Sequence, residues 1–144
     1  MDLSQLGNRI IANEGRKVIL DTNLLIPLIL SNLMPDWRRH KTTKNFLPTD
    51  LEVIKGCIEY FGEVVTTPHI LTEVCNHLDD TSALLEIRKF IKLAHEVTYA
   101  SAELSSDSLF SFYGLADVAL ITSASRPLNT ILFSTDEEHC KSSN

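Results

Sequence analysis

Four acidic residues stand at positions where a parallel α/β fold would bring carboxylates together: Asp21, Glu73, Asp117 and Asp136. Asp21 closes the apolar run Val18-Ile19-Leu20, and Glu73 is set between Leu71 and Val74. Asp117 precedes Val118-Ala119-Leu120-Ile121, and Asp136 lies just past Ile131-Leu132-Phe133-Ser134. Each has an ordinary explanation on its own. Asp21 and Asp117 could cap helices, Glu73 could be solvated surface, and Asp136-Glu137-Glu138 could be a charged tail. Acids embedded in apolar runs are nevertheless costly to bury unless a cation or polar partner compensates them. If they converge, their hard oxygens suit Mg²⁺ or Mn²⁺, with coordination sites left to water, better than zinc. Such a site activates water for hydrolysis.

Convergence depends on the elements that carry the acids. Lys17–Asp21 reads as a short buried strand, followed by a helix over Leu24–Leu33. A short amphipathic helix over Leu3–Ala12 precedes it. Met34–Pro48 is polar and irregular. Leu51, Ile54, Ile58 and Phe61 repeat at helical spacing over Asp50–Phe61, and Gly62 stops that helix. Val64–Thr66 is a second strand, and Thr67-Pro68 is a cap followed by proline at the first helical position, starting a helix to about Leu78. Ser82–His95 is a further helix with Leu84, Leu85, Ile87, Ile91 and Leu93 as its apolar face. Val97–Tyr99 is a short third strand, Leu104–Tyr113 is helical, Gly114 interrupts, Ala116–Ala124 is helical, and Ile131–Ser134 is a fourth strand. Alternating strands and helices predict an α/β fold: a mostly parallel central sheet of four or five short strands flanked by helices. In such folds the functional crevice lies at the carboxyl ends of the strands. Asp21 and Asp136 then share that edge, and Glu73 reaches it from the early turns of a helix that starts there. Asp117 opens its helix, where the dipole favours a carboxylate.

The composition sets outer bounds. A chain of 144 residues, 44% hydrophobic and 22% charged, is one domain's worth of sequence (1–144) with enough apolar residues for a core. The net charge of −6 argues against a general nucleic-acid coat. That inference weakens if four acids belong to one site, because the remainder is near balance. The longest apolar stretch, Leu24–Leu30, is broken by Pro27 and too short for a membrane helix. Cys57, Cys75 and Cys140 form no CxxC pair and read as reduced thiols. With no basic-then-apolar leader pattern, they point to a cytoplasmic protein.

Four segments in series carry a family resemblance. Val18-Ile19-Leu20-Asp21-Thr22-Asn23, Thr67-Pro68 with Glu73-Val74, Tyr113-Gly114-Leu115-Ala116-Asp117, and Ser134-Thr135-Asp136 together resemble the PIN domain over nearly the whole chain. The resemblance implies a three-layer PIN-like sandwich and a metal-dependent ribonuclease, of the kind found as VapC toxins in toxin–antitoxin pairs and in RNA-processing enzymes. It implies that Asp21, Glu73, Asp117 and Asp136 hold Mg²⁺ or Mn²⁺, with Asn23 and Thr135 as supporting polar groups. Glu138 supplies a further acid two positions after Asp136, while His139 stands where the family often has an aromatic residue. The sequence stops eight residues after Asp136, so the family's final edge strand is expected to be either missing or beyond this sequence. The resemblance also implies hydrolysis that leaves a 5′-phosphate and a 3′-hydroxyl.

An RNA substrate brings charge that the acids cannot meet. Arg38, Arg39, Lys41 and Lys44 are candidate phosphate contacts, with Trp37 able to stack on a base. The same stretch could equally be a solvated loop. Arg88, Lys89 and Lys92 form a second basic patch with the same two readings. Asn76 and His77, one turn beyond Glu73, either approach substrate or are structural, the second being the safer reading. Partners implied are RNA, an antitoxin or other inhibitory protein occluding the crevice, and a second copy in a homodimer. No GxGxxG, phosphate-binding Gly-Lys-Ser/Thr loop or GxSxG elbow is present. The pairs Cys75/His77 and His139/Cys140 are weak zinc candidates. A phospho-acceptor receiver domain would cluster its acids near the first strand and need a late-strand lysine. The alternative from another class is a PIN-like module that binds RNA or protein without cutting.

Overall fold

The strand β1 (Lys17–Leu20) carries three consecutive apolar side chains, Val18, Ile19 and Leu20, each exposed by 1% or less. A strand that is apolar on both faces must be covered on both. The computed structural model, which describes residues 17–125 and 130–133, shows how. Ile19 packs on one side into a cluster with Leu25, Ile26, Ile70, Val74, Ile87 and Leu120. Val18 and Leu20 pack on the other side with Leu24, Ile54 and Cys57. The first cluster draws on helices α1 (Thr22–Ser31), α3 (Pro68–His77), α4 (Thr81–Leu93) and α6 (Phe110–Ser125); the second is closed mainly by α2 (Pro48–Phe61). Burying each of these strand side chains contributes about 1.5–3 kcal/mol relative to exposure.

Neighbouring strands add to β1 in parallel. β2 (Val64–Thr66) pairs with it through Val18↔Val64 and Ile19↔Val65, and β4 (Thr130–Phe133) through Lys17↔Thr130 to Leu20↔Phe133. The two-residue β3 (His95–Glu96) extends the sheet beyond β2, giving the order β3-β2-β1-β4. The chain is thus an α/β protein with a parallel sheet flanked by helices. β1 and β4 end side by side, Leu20 opposite Phe133, so their carboxyl termini open on one edge.

Local chemistry explains most element boundaries. α2 begins with Pro48 at its first position, and the Asp50 carboxylate accepts the Leu47 N–H at 2.8 Å. It ends at Gly62, whose φ of 73° lies in the left-handed region that a side chain would strain. α1 begins at Thr22, two residues before the expected Leu24, and runs through Pro27 to Ser31.

Three expectations are corrected. In α4 the side chains facing the core are Ala83, Ile87 and Phe90, whereas Leu84, Leu85, Ile91 and Leu93 are exposed. The Asp80 carboxylate accepts the Ala83 N–H at 2.8 Å and starts the helix there, with Ala83, Ile87 and Phe90 at the i, i+4, i+7 stripe. The third strand is His95–Glu96, two residues earlier than Val97–Tyr99, although the Val97 N–H still donates to the Thr66 carbonyl at 2.9 Å. The segment expected as one helix over Leu104–Tyr113 divides into α5 (Ser101–Ser105) and the start of α6. Between them the Asp107 carboxylate accepts the Leu109 N–H at 2.8 Å, a turn two residues long that competes with helix. The helix expected over Leu3–Ala12 lies outside the described residues. No helix among the described residues is long and apolar enough to cross a membrane.

Candidate functional site

Asp21 stands at the turn from β1 into α1. Its Oδ1 accepts the Thr22 N–H at 2.7 Å, and its backbone carbonyl accepts the N–H groups of Leu24 and Leu25 at 3.0 and 3.1 Å. It is therefore a helix cap, as the ordinary explanation holds, and it also lines a cleft at the carboxyl edge of the sheet. Only 6% of the residue is exposed. The next residue, Thr22, is buried as well, and its hydroxyl donates to Glu73 Oε2 at 2.7 Å.

Glu73 is placed by α3. The Thr67 hydroxyl accepts the Ile70 N–H at 3.2 Å, and Pro68 occupies the first helical position. Ile70 and Val74 then point into the core, which directs Glu73, in the second turn, across the crevice toward Thr22. Asn76 and His77 follow at the i+3 and i+4 positions and share that face. Both line the cleft and are exposed.

Asp117 arrives from α6. Gly114 interrupts that helix with φ 77° and ψ −174°, a conformation essentially restricted to glycine. The helix resumes after it with Val118, Ala119 and Leu120 buried, and Asp117 lies half-buried against the cleft in the first resumed turn.

Asp21, Glu73 and Asp117, from three separate elements, thus border one cleft of about 350 Å³, together with Thr22 and Asn23. No Lys or Arg side chain lines it among the described residues. Three carboxylates against one imidazole, that of His77, leave the cleft attractive to cations. The donors are carboxylate, carboxamide and hydroxyl oxygens with the His77 imidazole at the lining, and the oxygens match a hard divalent cation in kind. In spacing it is not sufficient alone: among the described residues no three His, Cys, Asp or Glu side chains come together closely enough to hold a metal ion. Asp136, Thr135 and Glu138 lie outside the described residues, as does the His139/Cys140 pair.

The basic loop differs from expectation in one respect. Trp37 begins a 3₁₀ turn (Trp37–Arg39) and is buried in the main core, 7% exposed, so its ring is not a platform for a base. Its burial follows from packing: the indole is the largest apolar group of this stretch, and Met34 and Phe46 pack against the same cluster. The Thr43 hydroxyl, itself buried, donates to the Trp37 carbonyl. Arg38 Nε donates to the Phe46 carbonyl at 2.7 Å, and Arg39 pairs with Asp36 at 3.5 Å. Lys41 and Lys44 are exposed. In the second basic patch Lys89 pairs with Glu86 at 2.7 Å.

Elsewhere, a cavity of about 470 Å³ lies between α1, α2 and α4, lined by Leu28, Ile58, Phe90 and Leu93, and contains none of the candidate acids. Cys57 and Cys75 are free thiols, and burial pushes the Cys57 thiol up from its ordinary value. Compared with models of known protein families, with curated proteins and with solved structures, the chain has no match.

Proposed function

We propose that this protein is a Mg²⁺- or Mn²⁺-dependent ribonuclease of the PIN type, with the three-layer sandwich of that family. The observation that carries the reading is the meeting of Asp21, Glu73 and Asp117 in one cleft at the carboxyl edge of a parallel sheet. In this reading Asp21 and Asp136 would hold the cation directly, with Asp117 as a further ligand. Asp136 follows β4, whose last residue Phe133 pairs with Leu20, the neighbour of Asp21. Such a cation, when bound, would lower the pKa of a water and offset charge on the phosphoryl oxygens. Glu73 orients the attacking water and receives its proton. Its Oε2 is tethered by Thr22, which fixes where the carboxylate can point. Attack at phosphorus breaks the bond to the 3′ oxygen, which takes a proton from solvent water, leaving a 3′-hydroxyl and a 5′-phosphate. Asn23 and Thr135 support the ligands, with Glu138 as a further acid, while Lys41 and Lys44 meet phosphates outside the cleft. An antitoxin-like partner would cover this cleft with a basic side chain, and a homodimer would use a surface away from it.

A second reading, a PIN-like module that binds without cutting, is favoured by one observation: the described acids alone do not form a three-group metal site. A cleavage assay separates the two. Mixed RNA is incubated with wild type and Asp21→Asn in Mg²⁺, in Mn²⁺ and with chelator. The nuclease reading expects degradation only by wild type with metal. Intact RNA under every condition would leave the binding module.

A further inference from the structure

We propose that the cavity on the far side of Asn23 from the acids is a nucleobase subsite, taking the base of a nucleotide next to the scissile phosphate. The proposal rests on the ribonuclease reading for the position of that phosphate, and on the cavity itself for the rest. Asn23 lines both the acidic cleft and a neighbouring cavity of about 410 Å³. A polynucleotide held at the acids therefore has a second depression beside it.

The lining indicates what that depression accepts. Its floor is Leu24 and Ile54, both essentially fully buried, and its rim carries Thr42, Asn45 and the half-buried ring of Phe46. Asp50 is the charged member, and its Oδ2 is engaged by the Leu47 N–H. With no Lys, Arg or His side chain lining it, this cavity does not suit a phosphate. Apolar and aromatic surface with carboxamides at the rim suits a flat heteroaromatic ring. Such rings stack on aromatic side chains and exchange paired hydrogen bonds with amides.

One feature prepares the site. The loop that carries Thr42, Asn45 and Phe46 is held from behind by buried Trp37, by the Thr43–Trp37 hydrogen bond and by Arg38 on the Phe46 carbonyl. A site held before its ligand arrives loses less entropy on binding.

The test uses fluorescence anisotropy on the full chain, with a short single-stranded oligoribonucleotide of mixed sequence and a matched oligomer of abasic sugars. Wild type should bind the base-carrying oligomer about tenfold more tightly, the scale of one paired amide–base contact. Asn45→Ala, at an exposed position where folding is not at stake, should lower that ratio severalfold, and so should Phe46→Leu. Equal affinity of wild type for the two oligomers would overturn the subsite. So would a ratio unchanged in both variants. Metal-dependent cleavage by wild type is scored separately, so its absence rejects the nuclease while the affinity ratio still decides the cavity.

Discussion

The Thr22 hydroxyl donates to Glu73 Oε2 at 2.7 Å, joining residues 51 positions apart in the chain. This bond ties the turn after β1 to the helix after β2 and sets the aim of a carboxylate that no element positions alone. Replacing Thr22 with Val removes it at nearly constant shape. The expected cost is about 1 kcal/mol of stability, since a partly buried acceptor loses its donor. Cleavage should fall roughly tenfold through misplacement of Glu73, a part of the roughly 10²–10⁴-fold that a positioned base contributes. Denaturant melts and RNA cleavage rates measure the two effects separately; full activity in Thr22→Val would detach Glu73 from the chemistry.

Asp21 has a structural and a proposed chemical role, and two substitutions part them. Asparagine caps helices as well as aspartate does, so Asp21→Asn should retain stability while metal-dependent cleavage falls by a factor on the order of a hundred or more. Asp21→Ala should lose cleavage and in addition about 1 kcal/mol from the lost cap. The control is thermal denaturation of both variants beside the nuclease assay.

Cation binding to the native cleft should stabilise the fold. At about a hundred times its Kd, Mn²⁺ would add about 2.7 kcal/mol, or roughly 5–10 °C for a chain of this size. Asp21→Asn and Asp117→Asn should blunt the shift. A melting temperature indifferent to Mg²⁺ and Mn²⁺ in wild type would argue for the module that binds without cutting.

Trp37 is the chain's one tryptophan, which makes its burial easy to follow. Its fluorescence should be blue-shifted in the native state and hardly quenched when RNA binds. Trp37→Ala should cost about 3–5 kcal/mol through the cavity it leaves. By contrast, Lys41→Gln with Lys44→Gln should leave stability within about 0.5 kcal/mol and flatten the salt dependence of RNA affinity. Strong quenching of Trp37 by RNA would return it to the binding surface.

Cys57 is 2% exposed and its thiol is held protonated by burial, while Cys75 is half-buried. Peptide-level alkylation of the native protein should therefore label Cys75 well before Cys57. The pH consequence has a definite sign. A thiol whose value is raised in the fold ionises first in the unfolded chain, so stability falls as pH rises through and above the ordinary thiol value of about 8.5. Cys57→Ala should flatten that alkaline decline in denaturant melts.

Much of this molecule is encoded in signals a few residues long. Gly62 and Gly114 mark backbone conformations that other residues resist. Thr67-Pro68 and the apolar runs at Val18–Leu20 and Val64–Val65 state a helix start and two buried strands by their own chemistry. Their alternation was enough to predict a parallel sheet and to put Asp21 at its carboxyl edge. α4 could not be read this way, because it is apolar on several sides. Only packing decides that Ala83, Ile87 and Phe90 face inward and Leu93 stays 87% exposed.

The amino-acid order by itself determined most of the elements, their sequence along the chain and the places of Asp21, Glu73 and Asp117 on them, because dihedral limits, caps and hydrophobic runs act between near neighbours. Tertiary structure decided that Thr22 would grip Glu73, that Trp37 would turn inward from its basic neighbours, and that Asn23 would stand between two depressions. Those outcomes depend on distances between segments far apart in the chain. Such distances are set by how side chains fill the space between layers, a property of the packed whole that no local pattern contains.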